Sequence, residues 1–376
     1  MLDRHPAISI ALDPLMPLFR SLRNAIVQSS APRDLKTHFD PDSPFQDFYF
    51  NPDGPVMLDV LLQGDANLPV GLDELSRLRK TVPERAALES RGLAGRLRAI
   101  SGNTYAELIE SALGIIAATK PAATWAGCKE VWIFDFIPLL ARAFPQAQFY
   151  AIERDPRAIV ASLLALAERD SSQAAHPPSY MRHWRKSIAL SRWFEADATL
   201  NQRFRAVSYE ALVTDPAAAA RRVCTELQVD YGPEMLALSA DGWTGNSSFS
   251  DGKDVYASSV ERWRKSLPTD VQCAVEYLCG PEMVLTSYRK DSTEGREPEV
   301  KNYLQQAESA PVSWRSSSGN PDRDFAGELM RYELLEAPHQ GGIEMVRRCF
   351  LFAETLAAIR RARNDEARTA GGVKAL

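Results

Sequence analysis

The chain of 376 residues is poor in cysteine, with five at positions 128, 224, 273, 279 and 349. An odd, widely spaced set excludes a disulfide framework and gives no paired metal-ligand spacing. It fits a reducing, cytoplasmic setting. Long apolar runs are also missing. The longest candidate, Val131 to Phe144, is broken by Asp135, Pro138 and Arg142, so a membrane span is not expected. No apolar segment follows the first residues as a signal peptide would require. Charge of one sign is lacking too: 44 basic and 49 acidic residues leave a net charge of −5, which gives no global basic field for nucleic acid. No Gly-rich phosphate loop of the G-x-x-x-x-G-K-[ST] type is present. What remains is an average globular balance, 45% apolar and 25% charged.

The pattern along the chain predicts an α/β protein. Ala7 to Leu12 is an apolar piece after the His5-Pro6 turn, and a helix follows it to about residue 30. Pro- and Asp-rich text over 31–55 reads as loop. Residues 71–118 read as mainly helical, with Ser101 to Thr104 as a break that caps the last of these helices. Trp125 to Glu130 leads into a helix from about Val131 to Ala143, which Phe144-Pro145 stops. Gln148 to Arg154 reads as a strand, and Asp155-Pro156 starts a helix with Asp as N-cap and Pro in the first turn. A helix covers roughly Tyr180 to Thr199, Arg205 to Tyr209 is a further strand, and Pro216 opens a helix to Leu227. Strand, turn and helix in that order argue a buried parallel sheet. Residues 241–253 read as a long loop, with helices resuming at Ser259 and at Thr269. Lys290 to Asp324 is polar and linker-like, and a helix is expected from about Ile343 to Arg363.

The strongest local signal runs from Phe149 to Ser162. Arg154 stands at the carboxyl end of a strand, and Ser162 lies about two turns into the next helix. Open α/β sheets bind ligands at such strand ends, and a helix N-terminus favours an anion. An Arg and a Ser hydroxyl there suit a phosphate. A surface Arg–Asp pair with an ordinary helical Ser is the plain alternative.

This stretch resembles the 3′-phosphate segment of the sulfotransferase family, which uses 3′-phosphoadenosine-5′-phosphosulfate (PAPS) as donor. Gly127-Cys128-Lys129-Glu130 followed by Phe144-Pro145-Gln146-Ala147, then Ser208 to Pro216, then Ser258 to Leu267, resemble further family segments in the same order. The likeness spans roughly residues 1–285. It implies a three-layer P-loop NTPase-like fold with a central parallel sheet flanked by helices, over residues 1–290. Residues 291–376 would be a linker and a helical C-terminal extension.

The resemblance also assigns roles. Arg154 and Ser162 would hold the 3′-phosphate, Tyr209 would sit near the adenine or ribose, and Arg262 is a further basic candidate. Lys129 would stabilise charge on the transferring sulfuryl group, and Ser258 would lie near the donor phosphate. Asp13 falls where the family places a Glu as general base and is one methylene shorter. Capping of a helix starting at Pro14 is its alternative. Catalysis would be in-line transfer by positioning and charge stabilisation, without a metal. The acceptor would be a small molecule, a carbohydrate or a peptide with a hydroxyl or amine, held by loops within 31–70, 168–185 and 241–257.

The family's Gly-, Ser- and Thr-containing loop for the 5′-phosphosulfate would precede His5, where only four residues stand. The chain therefore reads as lacking its first strand and sulfate-side loop, through a truncated start or a shortened homologue. Weak or absent PAPS binding is the expectation, and a non-catalytic, sulfotransferase-like interaction protein is the alternative function. A small-molecule kinase is a third reading, against which the missing P-loop sequence counts.

Overall fold

The computed structural model describes residues 1–43, 47–171, 174, 176–237, 259–291, 297–310, 320–337 and 341–372. In chain order the principal elements are strand β1 (Ile8–Leu12), helices α1 (Met16–Ser30), α2 (Leu72–Glu89) and α3 (Tyr105–Ala117), strand β2 (Trp125–Lys129), and helix α4 (Ile137–Ala143). Strand β3 (Phe149–Glu153), helices α5 (Pro156–Arg169) and α6 (Pro177–Ala196), strand β4 (Phe204–Ser208) and helix α7 (Pro216–Leu227) follow. The chain then continues through α8 (Thr269–Met283), α9 (Glu297–Ser309), α10 (Pro321–Glu336), α11 (Ile343–Phe350) and α12 (Ala353–Gly372). The fold is mixed α/β and rich in helix.

Among the described residues the strands form two two-stranded sheets, β1–β2 and β3–β4, where the sequence suggested one central sheet. The chain divides into two compact units. The first holds residues 1–45, 59–148 and 208–257, and the second holds 46–58, 149–207 and 258–376.

In the first unit β1 and β2 run parallel, with Ile8 opposite Trp125 and Leu12 opposite Lys129. β2 is a strand that the sequence does not announce, because Gly127 and Lys129 are weak strand formers. Gly127 has a packing reason: a Cβ there would lie 3.0 Å from the Ile10 Cδ1 atom. The other edge of β1 is closed by side chains. Lys120 Nζ donates to the Ile8 carbonyl at 2.8 Å, Ile10 N–H donates to Asp3 Oδ1 at 2.8 Å, and Leu12 N–H donates to Ser90 Oγ at 3.0 Å. Residues of even number on β1 therefore bond outward to side chains. The flanking odd residues serve β2: the Ala7 carbonyl accepts from Trp125 N–H at 3.0 Å, and Asp13 N–H donates to the Lys129 carbonyl at 2.8 Å. Leu18, Leu22 and Ile26 of α1, Leu78 and Val82 of α2, and Leu108 and Ile116 of α3 are buried with Ile8. The break before α3 caps it as expected. Thr104 accepts from Glu107 N–H at 3.2 Å, and Glu107 Oε2 accepts from Asn103 N–H at 2.6 Å. His5 Nδ1 accepts from Ala7 N–H at 3.1 Å, so the ring is a neutral tautomer whose Nε2–H donates to the Asp230 carbonyl at 2.6 Å.

In the second unit α5, α6, α8 and α9 share a core of Val160, Trp184, Ile188, Val275, Leu278, Val300 and Leu304. The linker-like stretch thus contains a packed helix, α9, because Val300 and Leu304 recur on one face four residues apart. The long helix expected over 343–363 is two helices. Leu351 takes φ 66° between them, and Phe352 then stacks on Trp193 with ring centroids 5.5 Å apart. No helix among the described residues is long and apolar enough to cross a membrane.

Candidate active site

The carboxyl ends of β1 and β2 bring Asp13 and Lys129 together. Asp13 takes φ 46°, a left-handed conformation that Asp tolerates better than most residues. The turn sends its carboxylate toward β2, where Lys129 Nζ donates to Oδ2 at 3.1 Å. Arg85 on α2 adds an ion pair at 3.5 Å and donates from Nε to the Asp13 carbonyl at 3.1 Å. The Asp13 side chain is 15% exposed and that of Lys129 is 55% exposed. The carboxylate is sheltered while the ammonium reaches solvent. Asp13 does not cap a helix: α1 starts at Met16 with Leu15 as N-cap and has no side-chain cap.

Glu130, next to Lys129, is the functional candidate that the sequence reading passed over. Its Oε1 accepts the Leu15 N–H at 2.6 Å. Burial pushes its pKa up to about 8, and the Asp13 charge adds to that; the Leu15 hydrogen bond, Arg85 and Lys129 only partly offset it. A carboxyl of this kind exchanges a proton near neutral pH. Its one sequence signal was an acid directly after a lysine at the end of an element. Arg85, far away in sequence, gave none. Cys128 is no nucleophile: burial first, then the Glu130 and Asp13 charges, raise its thiol well above its ordinary value.

Of the other predicted residues, Tyr209 belongs to the first unit. Tyr209 heads a short helix, Tyr209–Thr214, whose N-cap Ser208 accepts from Ala211 N–H at 3.2 Å. Ser258 and the loop 241–257 lie outside the described residues.

The second unit holds Arg154, Ser162 and Arg262. Asp155 caps α5 as expected, accepting from Arg157 N–H at 2.8 Å with Pro156 in the first turn. The Arg154 carbonyl accepts from Trp184 Nε1–H at 2.9 Å, which fixes the backbone just before the helix. Ser162 is half-buried on α5. Arg157, two residues after Asp155, is the residue committed to structure. Its guanidinium pairs with Asp155 at 2.8 Å and Glu276 at 2.8 Å, both buried, and lies 4.0 Å from the centre of the Trp263 ring. Arg262 is exposed, directly before Trp263. The Asp155 carboxylate already occupies one amide at this end of α5, and no further acidic residue stands in its first turn. Among the described residues no group of His, Cys, Asp and Glu could hold a metal ion.

The sequence profile of the sulfotransferase family matches residues 1–233. The sulfotransferase domain from the curacin biosynthetic pathway is 17% identical, over 80% of this chain and 96% of that one, with a TM-score of 0.35. The sulfotransferase domain from the Synechococcus PCC 7002 olefin synthase is 17% identical, over 75% of this chain and 94% of that one, with a TM-score of 0.40. No curated protein matches the chain.

Proposed function

Because the chain belongs to the sulfotransferase family, we propose that it moves a sulfuryl group from PAPS to a hydroxyl or amine acceptor, with Asp13, Lys129 and Glu130 at the reacting end. The observation that carries this reading is the Asp13–Lys129 pair at 3.1 Å, set at the carboxyl ends of two parallel strands. Asp13 takes the proton of the attacking acceptor atom as its bond to sulfur forms and the sulfur–oxygen bond to the donor breaks. Lys129 meets the negative charge that develops on the sulfuryl oxygens. Arg85 orients the Asp13 carboxylate, and Glu130 is a second proton-holding group beside it.

On the donor side, Arg154 and Ser162 would hold the 3′-phosphate at the start of α5. Tyr209, Arg262 and Ser258 are further donor contacts. PAPS supplies the activated sulfuryl group, and no metal takes part.

The test is titration of the chain with adenosine 3′,5′-bisphosphate, followed by transfer from radiolabelled PAPS to a panel of hydroxyl and amine acceptors. Saturable binding that Arg154→Ala weakens, and transfer that Asp13→Asn removes, support the enzyme. Absence of both binding and transfer would leave the non-catalytic interaction protein as the better account.

A further inference from the structure

The second unit carries a cleft of about 470 Å³, a volume typical of small-molecule sites. It is enclosed by the end of α8, the turn that follows it, α10 and α12. Pro281, Met283, Val284 and Leu335 supply apolar lining, and Arg289, Lys290 and Arg363 bring three cations to it. Two of those cations are neutralised: Arg289 pairs with Glu366 at 3.2 Å, and Arg363 pairs with Glu336 at 3.2 Å. Lys290 is different. Among the described residues no carboxylate lies within ion-pair distance of it. Its Nζ makes a long, 3.5 Å contact with Tyr332 Oη and stands 5.6 Å from that ring. Tyr332 donates its own hydroxyl proton to the Tyr277 carbonyl at 2.7 Å, which fixes the oxygen that Lys290 meets.

The lysine rests directly on helix α8. A Cβ at Gly280 would come within 2.2 Å of Lys290 Cε and 2.5 Å of Nζ. Gly280 leaves the room that the end of the Lys290 side chain occupies over the cleft. Apolar walls with one exposed cation that has no ion pair among the described residues, beside an aromatic hydroxyl, make a site for a ligand of complementary build.

We propose that this cleft binds a small amphipathic anion, with a hydrocarbon or aryl body against Met283, Val284 and Leu335 and a single anionic head on Lys290. None of the lining residues is among those assigned to sulfuryl transfer, and the proposal does not depend on that assignment.

Calorimetric titration of the full chain with octanoate below its micellar concentration, and with 1-octanol as the neutral match, tests it. One equivalent of octanoate should bind, and 1-octanol about tenfold more weakly or worse. Lys290→Met should weaken octanoate about tenfold and leave 1-octanol unchanged, whereas Lys290→Arg should keep octanoate within about threefold. Gly280→Ala, which retains the charge but displaces it, should also weaken octanoate. Equal binding of octanoate and 1-octanol, no saturable octanoate binding, or a Lys290→Met variant that binds octanoate like the parent would each overturn the proposal. Circular dichroism of each variant establishes that it is folded before it is titrated.

Discussion

The charged groups around Asp13 and those around Arg331 are built from the same kinds of side chain, and each contains a glutamate whose pKa moves, half-buried Glu130 in the first and fully buried Glu328 in the second. Glu130 is pushed up to about 8, because burial outweighs the pull of Arg85 and Lys129 and Asp13 adds like charge. Glu328 moves the other way. Burial would raise it, but the Arg185 and Arg331 guanidiniums hold it below the usual carboxylate range. The difference lies in contact. Glu328 accepts directly from Arg185 at 2.6 Å and Arg331 at 2.8 Å, whereas the bond described for Glu130 comes from a neutral backbone N–H. Arg331 uses its remaining donors on Glu282 and on the Cys349 and Leu278 carbonyls, the latter two at 3.0 Å. Arg185 lies 4.4 Å from the centre of the Tyr49 ring. One cluster is buried and dry: every Arg331 donor is engaged, while Arg185 Nε and Nη2 have no hydrogen-bond partner among the described residues, and the cluster joins α6, α8, α10 and α11. The other leaves Lys129 more than half exposed and a carboxyl poised to titrate. Fully buried, paired charge serves structure, and part-exposed charge at a strand end is placed for chemistry.

The sharpest way to break this contrast is to unpair the dry cluster. Arg331→Met leaves Glu282 and Glu328 buried without it, and should cost about 3–5 kcal/mol in urea unfolding. A loss below about 1 kcal/mol would mean that this cluster is not structural. Asp13→Asn attacks the other side. Transfer should fall about a hundredfold or more while the unfolding midpoint barely moves, and retained turnover would shift the base to another group. Arg154→Ala should weaken binding of adenosine 3′,5′-bisphosphate by roughly 1.5–3 kcal/mol, the range of a hydrogen bond to a charged group. Unchanged affinity removes it from the donor site.

The glutamates differ in their pH signatures as well. At low pH both folded and unfolded chains keep the Glu130 proton. Between the ordinary carboxylate range and about pH 8 the folded chain keeps a proton that the unfolded chain has released. This residue therefore makes stability fall as pH rises through that window, by at most about 1.4 kcal/mol per pH unit. Glu130→Gln should flatten that part of the curve, and an unaltered slope would refute the raised value. Glu328, with its lowered pKa, contributes stability at neutral pH that is lost on acidification. Smallest of all, Ser90→Ala removes two side-chain hydrogen bonds at the edge of β1, from the Leu12 N–H and to the Leu12 carbonyl, and should cost about 1–2 kcal/mol.

What the sequence revealed follows the range of the interactions. Asp155-Pro156 and Asp215-Pro216 announce α5 and α7 correctly, because an N-cap and a first-turn proline act within three residues. β3 and β4 were legible as short apolar runs with turns around them. β2 was hidden, since Gly127 is explained only by Ile10 across the sheet. Asp13, Lys129 and Arg154 were named as candidates from the segments they stand in, and the structure brings Asp13 and Lys129 together. Glu130 was not named, because its raised pKa comes from burial, which only the folded chain creates. Arg157 was missed because its partner Glu276 lies 119 positions on. α9 was masked by polar neighbours, although Val300 and Leu304 repeat at helical spacing.

The closed edge of β1 has a consequence for the protein in concentrated solution. A strand with open amides and carbonyls recruits another chain, and growth of such contacts rises with protein concentration. On β1 the outward positions are already occupied by Lys120, Asp3 and Ser90. Self-association through this strand therefore has to wait for those side chains to leave, so its onset is set by a local opening equilibrium rather than by encounter frequency. Salt, which weakens the Lys120–Asp3 pair, becomes the condition under which the strand turns sticky.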